Sequence, residues 1–322
     1  MKENKNLIKK NILILVLLVV VLLGSTYAWF TVNKNVKVEE IEVKVATTQD
    51  LEISVDAINW KHSINSKELL EGIHTTYPNA LNQIPTEELY PVSTAGFINN
   101  AKLDMFYGEA KINNKTNLYT LTAKKEEEVH GKTGNFIAFD IFLKAAKDTT
   151  IYLNPNSSIY SQRSAENTES SGIENATRMA ILKQGTATTS TAAQALNGAT
   201  EAIIVEPNYD VHTATGIQHA EDIYGITGLN LTGNNSLEYY GVKNAITEGV
   251  DLTETSDAYF SKVNPNVKLK NSFFNGEEKV ELFQISKGIT KLRVYLWIEG
   301  QDVDCEDKAS GANLNFQLQF MS

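Results

Sequence analysis

Two stretches near the C-terminus constrain the fold more than anything else in this chain. Leu292, Val294, Leu296 and Ile298 alternate with Lys291, Arg293, Tyr295, Trp297 and Glu299, and Leu314, Phe316, Leu318 and Phe320 alternate with Asn313, Asn315, Gln317 and Gln319. Successive side chains of a strand point to opposite faces, so a period of two predicts two strands of one sheet with a single face on the core. The pattern recurs early, where Ile41, Val43 and Val45 alternate with Glu40, Glu42 and Lys44. Val36 and Val38 stand one residue out of phase with Ile41, which predicts a bulge or the meeting of two short strands near Glu39 and Glu40.

Phe136 to Leu143 is apolar at every position but Asp140, the pattern of a central strand covered on both faces. The acidic run Glu126-Glu127-Glu128, with Gly131 and Gly134 after it, is expected to be a solvated turn leading into that strand. Thr150 to Leu153, Arg178 to Leu182 and Ala202 to Val205 predict further short strands. Lys67 to Leu70, Glu87 to Leu89 and Thr191 to Leu196 each suit a helical turn or two, and none keeps an i, i+3, i+4, i+7 pattern for a full helix. Asn154 to Gly172 and Gly185 to Thr200 are expected to be long connections, and Gly216 to Gly249 an irregular region.

These patterns predict a mainly β chain. At 322 residues and 42% hydrophobic it can form one large β domain or two smaller ones. The economical arrangement is one β-sandwich over residues 29–322, its early and late strands pairing across irregular insertions at about 60–115 and 154–250. A boundary near residue 160 is the alternative. The charge, 29 Lys and Arg against 39 Asp and Glu, sets nucleic acid aside as a partner, because a phosphate backbone calls for a basic patch. A single cysteine excludes an intrachain disulfide framework.

The N-terminus has the form of an export signal. Lys2, Lys5, Lys9 and Lys10 form a basic region, Ile12 to Leu23 an apolar one, and Gly24-Ser25-Thr26-Tyr27-Ala28 places small residues where a signal peptidase cuts. A hydrophobic signal helix over residues 1–28, cleaved between Ala28 and Trp29, is the expectation. The apolar core is shorter than the roughly 20 residues that span hydrocarbon, and counting through Phe30 lengthens it toward an uncleaved anchor, so both outcomes stay open. The remaining chain faces outward in either case, secreted or held at the cell surface, and touches membrane only through this segment if it is retained. No cysteine near the cut and no hydrophobic C-terminal tail before Ser322 suggest a lipid or sorting anchor.

The run Leu23-Gly24-Ser25-Thr26-Tyr27-Ala28-Trp29-Phe30-Thr31, followed by an extended segment and by Leu51-Glu52-Ile53-Ser54-Val55, resembles the signal peptide and mature start of proteins processed by the SipW type of signal peptidase, the TasA and camelysin-like proteins. The likeness covers about the first 55 residues. It implies a secreted, jelly-roll-like antiparallel sandwich whose first mature strand can donate into a neighbouring subunit and so build fibres in a biofilm matrix. The strand-donating residues would be Trp29, Phe30, Val36, Val38, Ile41, Val43 and Val45. Exposed aromatics at a new N-terminus followed by a β-prone run also suit strand addition on physical grounds, although self-packing or an interfacial anchor explains them equally. Camelysin-like proteins carry a peptidase label, yet no His-Glu-x-x-His motif occurs here.

Candidate sites are few. The loop from Glu299 to Asp307 concentrates carboxylates, and Asp302, Asp304 and Asp307 are candidate ligands for calcium, which takes several oxygen ligands. The spacing fails an EF-hand test, since Asp307 stands where Gly is needed and Asn313 where a bidentate Glu is needed, so a solvated turn with capping carboxylates is favoured and no cofactor is expected. His212 and His219, near Asp210, Glu221 and Asp222, match no compact zinc template. Cys305 sits among acids that would raise its pKa, which argues against a nucleophile and leaves intermolecular pairing or a quiet structural role. No nucleophile elbow, P-loop or dinucleotide fingerprint appears. The expected function is therefore a non-enzymatic exported structural protein that self-associates, with a surface module for glycan or calcium as the alternative and a secreted hydrolase as a further one.

Overall fold

The computed structural model of the protein describes residues 36–46, 51–71, 76–113, 119–162, 170–224, 226–229, 237, 239–251, 256–270, 273, 278–306 and 311–322. The signal segment with Ala28, Trp29 and Phe30 lies outside them, as does Asp307.

The strands in chain order are β1 (Val36–Val45), β2 (Leu51–Ser54), β3 (Ser63–Asn65), β4 (Val92–Ser93), β5 (Ile98–Asn99), β6 (Lys102–Leu103), β7 (Met105–Ile112), β8 (Tyr119–Glu126), β9 (Ile137–Ala145), β10 (Thr149–Leu153), β11 (Ser158–Gln162), β12 (Thr177–Ala187), β13 (Ala202–Glu206), β14 (Tyr239–Val242), β15 (Ile246–Asp251), β16 (Phe260–Val263), β17 (Val267–Lys268), β18 (Val280–Ile285), β19 (Gly288–Ile298) and β20 (Ala312–Met321). Among the described residues three short helices join them: α1 (Ser66–Glu71), α2 (Ser190–Gln194) and α3 (Ala214–Tyr224). The described chain is mainly β, arranged in several sheets.

One six-stranded sheet runs β18-β10-β20-β1-β3, with β11 following β10 along the same side of β20, and a second runs β17-β13-β12-β19-β9-β2. Their facing side chains form one buried cluster, with Ile41 and Val43 of β1 and Leu314, Phe316 and Phe320 of β20 meeting Phe139 and Leu143 of β9 and Val294 and Leu296 of β19. Each such aliphatic or aromatic burial contributes roughly 1.5–3 kcal/mol. The early and late strands do pair: β1 lies parallel to β20 from Val36 opposite Ala312 to Val45 opposite Phe320, with a register shift between Val38 and Glu40. The phase slip between Val38 and Ile41 is that bulge.

The two C-terminal strands are not sheet neighbours. Strand β20 lies in the first sheet and β19 at the centre of the second, so the acidic loop between them passes from one sheet to the other. Nor is β19 solvated on one face, because Tyr295 and Trp297 sit in a second cluster with Phe136, Ala138, Ala180 and Leu182, roofed by Val92, Leu103 and Met105. The chain from β4 to β6 covers the outer face of the second sheet, which is why the polar half of the β19 alternation is buried. A third layer, the sheet β15-β8-β7-β4 with the two-stranded sheet β14-β16, closes around Phe106, Leu121, Val242 and Phe260. Backbone approaches so closely there that a Cβ on Gly241 would lie 1.9 Å from the Thr94 carbonyl oxygen.

Helices α1 and α2 fall where helical turns are expected, whereas Leu89 instead bridges to Val36 in extended form. Helix α3 lies in a stretch read as irregular. Its signal is weak because Gly216 and Thr215 lower helix propensity, and its start is fixed from outside, by the acidic loop.

Candidate functional site

The expected strand-donating residues separate into two groups. Val36, Ile41, Val43 and Val45 are buried in their own chain, Val38 packs against the same cluster, and β1 is flanked by β20 on one side and β3 on the other. Trp29 and Phe30 lie outside the described residues.

The acidic loop is buried rather than solvated. Asp302 accepts from the Arg178 guanidinium and, through Oδ1, from the backbone N–H of Asp304 at 2.8 Å. The same guanidinium donates to Glu206 Oε1 at 2.8 Å. Asp304 takes His212 Nδ1 at 2.8 Å on one oxygen and the Thr213 backbone N–H at 2.8 Å on the other. Thr213 caps α3: its hydroxyl oxygen accepts from Gly216 N–H at 2.9 Å and donates to Glu306 Oε1 at 2.6 Å. Carboxylates at a helix N-terminus also complement its dipole. A Cβ on residue 216 would stand 2.3 Å from Asp304 Oδ1, so glycine is what lets the helix meet the loop. His219, one turn on, contacts the Val303 carbonyl oxygen through Nδ1 at 3.2 Å.

Asp302 and Asp304 are thus engaged in protein contacts that tie three segments together, and among the described residues no group of three or more His, Cys, Asp or Glu is placed to hold a metal ion. Burial raises the Asp304 carboxyl despite its bond to His212, and burial likewise raises Glu206 despite Arg178. Glu299, completely buried, is pushed up to about 7 by desolvation, against the bonds it takes from Ser93, Trp297 and Gln301. The Cys305 thiol is fully buried in the sandwich cluster, which removes it from intermolecular pairing in the folded chain.

A second polar site, absent from the sequence expectations, lies on the outer face of the second sheet. Arg293 donates through Nη1 to Asp140 Oδ1 at 2.8 Å, and through Nη2 to Glu128 Oε2 at 2.6 Å and the Leu81 carbonyl oxygen at 3.0 Å. Glu128 is not in a solvated turn: its side chain is 3% exposed, and it also receives the Tyr295 hydroxyl and the Lys102 ammonium, the latter at 3.0 Å. Asp140 takes the Tyr77 hydroxyl at 2.8 Å and lies 3.3 Å from the Lys291 ammonium. Burial alone would raise both carboxyls, yet Arg293, with Lys291 beside Asp140 and Lys102 beside Glu128, holds them below their ordinary values. Burial, followed by the Asp140 charge, pushes the Tyr77 phenol up, so it stays a donor. This network floors a cleft of about 390 Å³. The one sequence signal was Asp140, a charge inside an apolar run; a buried carboxylate needs a partner, and Arg293 sits directly opposite in the β9–β19 register.

No family model matches the chain, and neither a curated protein nor a solved structure is detectably similar to it.

Proposed function

We propose that the chain is an exported, non-enzymatic β-sandwich protein of the cell surface or extracellular matrix that self-associates by exchanging its first strand. The jelly-roll-like sandwich, processing by a SipW-type signal peptidase and release outside the cell belong to the same proposal and rest on the resemblance of the first 55 residues to TasA and camelysin-like proteins.

The observation that carries the reading is the position of β1. It is the first described strand after the segment with the form of a signal peptide, and it pairs in parallel with the C-terminal strand β20. Withdrawing it would open a slot between β20 and β3, lined by the core side chains it now covers. Buried strand edges and apolar side chains cannot stay unpaired in water, and an identical strand from a second copy satisfies both. Exchange keeps every contact and changes only which chain supplies the strand.

Glu42 and Gln317 are in register on β1 and β20, so cysteines at both positions can lock β1 in its own sheet. Sedimentation and electron microscopy of the cleaved chain should show oligomers or fibres, the oxidised Glu42→Cys/Gln317→Cys protein should remain monomeric, and reduction should restore assembly. A cleaved chain that stays monomeric at high concentration, or a locked protein that assembles unchanged, overturns the reading.

A further inference from the structure

The cleft above Asp140 and Arg293 divides into a spent floor and an unspent rim. On the floor, Lys291 gives its ammonium to the Gln194 and Leu196 carbonyl oxygens at 3.3 and 2.9 Å, and Arg293 is clamped between Asp140 and Glu128. These groups are rigid and have little left to offer a ligand. The rim differs. Asn79, Thr191 and Asn197 line the cleft with exposed side chains that make no hydrogen bond within the described residues. Leu81, 48% exposed, gives an apolar edge. Lys102 lines it too, its side chain 37% exposed and, among the described residues, tied only to Glu128.

We propose that this cleft binds a saccharide bearing a carboxylate, a uronic acid unit of an acidic glycan. A planar amide presents both donors and an acceptor, so Asn79 and Asn197 suit the vicinal hydroxyls of a sugar, and the Thr191 hydroxyl adds a third adaptable contact. Lys102 supplies the counter-charge for the carboxylate. Lys102, Lys291 and Arg293 outnumber Asp140 and Glu128, so this spot is locally cationic on a chain whose formal charge is −10. That local excess favours a single carboxylate directed to this place, while the acidic remainder of the surface repels polyanions elsewhere. The volume is within the range of small-ligand sites and accommodates one or two sugar units. The held floor keeps the site in shape before the ligand arrives, which lowers the ordering cost of binding. The cleft lies on the outer face of the second sheet, away from β1, so its occupation is independent of strand exchange.

Isothermal titration of the full chain with tri-galacturonate, and separately with the neutral trisaccharide of galactose and with acetate, tests the inference. Saturable binding of tri-galacturonate is expected, at least fivefold tighter than the neutral sugar and weakened by salt, with acetate undetectable at the same concentration. Lys102→Ala should weaken tri-galacturonate roughly tenfold and leave the neutral sugar unchanged, and Asn79→Ala/Asn197→Ala should weaken both. Asn79 and Asn197 are exposed, whereas Lys102 is half-buried with its ammonium on Glu128, so Lys102→Gln is measured beside Lys102→Ala, and binding of the neutral sugar at the parent's affinity reports that the cleft is intact. Absence of tri-galacturonate binding, equal binding of acid and neutral sugars, acetate binding as tight as the saccharide, or no effect of Lys102→Ala each overturns it.

Discussion

Two buried arginines, set on neighbouring strands of the same sheet, solve the same electrostatic problem with different margins. Arg293 on β19 bridges Asp140 and Glu128, and Arg178 on β12 bridges Glu206 and Asp302. Around Arg293 two further cations, Lys102 and Lys291, join the network, and none of its buried polar side-chain atoms is left over among the described residues. Its carboxyls are held down. Around Arg178 the balance tips to acid, with Asp304 and Glu299 close by, and Glu206 Oε2, Asn208 Oδ1 and Gln301 Nε2 find no hydrogen-bond partner among the described residues. There burial wins, and Glu206, Glu299 and Asp304 are pushed up. The lesson is that a buried guanidinium alone does not decide whether neighbouring carboxylates stay ionised; the count of cations against desolvation does.

The contrast breaks most violently at Arg293. Arg293→Met would leave Asp140 and Glu128 buried with only lysines at the margin, and removing one partner of a buried pair costs about 3–5 kcal/mol. Chemical denaturation at pH 7.5 should show a loss of that size. Arg178→Met should cost less, about 2–3 kcal/mol, because Glu206 is already raised and a proton taken up there lets it hydrogen-bond to Asp302. Repeating both measurements at pH 5 sharpens the comparison: the Arg178→Met deficit should shrink by half or more, and the Arg293→Met deficit should shrink less. Equal deficits at both pH values would remove the distinction between the networks.

Much of the architecture was legible because a period of two is hard to hide. The bulge between Val38 and Ile41 follows from side-chain alternation, the doubly buried strand around Phe136–Leu143 from an apolar run broken only by Asp140, and the pairing of the first strand with the last from strong strand patterns at both ends of the chain. The sheet partnership of the two C-terminal strands was misjudged because Lys291, Arg293, Tyr295, Trp297 and Glu299 look like a solvated face, and nothing local says that the chain from β4 to β6 will cover them. The acidic loop was visible as chemistry but not as a buried hub, since its partners Arg178, His212 and Thr213 stand 124, 92 and 91 residues away from the carboxylates they meet. The cleft assembles Tyr77, Glu128, Asp140 and Arg293 from four separate segments, and only the isolated charge of Asp140 hinted at it.

Glu299 gives a smaller effect with a distinctive direction. Its carboxyl is pushed up to about 7 when folded, against 4.5 for an ordinary glutamate. Below pH 4.5 it is protonated in both states and costs nothing; between 4.5 and 7 the unfolded chain ionises first, so stability falls as pH rises and levels off above 7. Glu299→Gln removes that linkage while keeping an acceptor for the Trp297 indole, now 3.0 Å from Oε2. The variant should match the parent near pH 4.5 and exceed it by roughly 3 kcal/mol at pH 8. The Trp297 indole N–H resonance of the parent should titrate near pH 7, and an indole that stays constant from pH 5 to 9 would refute the raised carboxyl.

The smallest effect concerns how the acid-rich network is held, and it falls on Thr213. Its hydroxyl is a joint between loop and helix, accepting from Gly216 N–H while donating to Glu306 Oε1. Thr213→Val keeps the shape and the backbone N–H that Asp304 Oδ1 accepts, and removes the cap together with the hydroxyl's bonds to Glu306 Oε1 and Asp304 Oδ1, so the expected cost is about 1 kcal/mol. Because α3 docks on the acidic loop and not on the Arg293 network, hydrogen exchange should rise in residues 214–220 and 302–306 and stay unchanged in β9 and β19. Exchange rising equally in both regions would mean that the two charge networks unfold as one unit, and that the separation drawn between them has no energetic content.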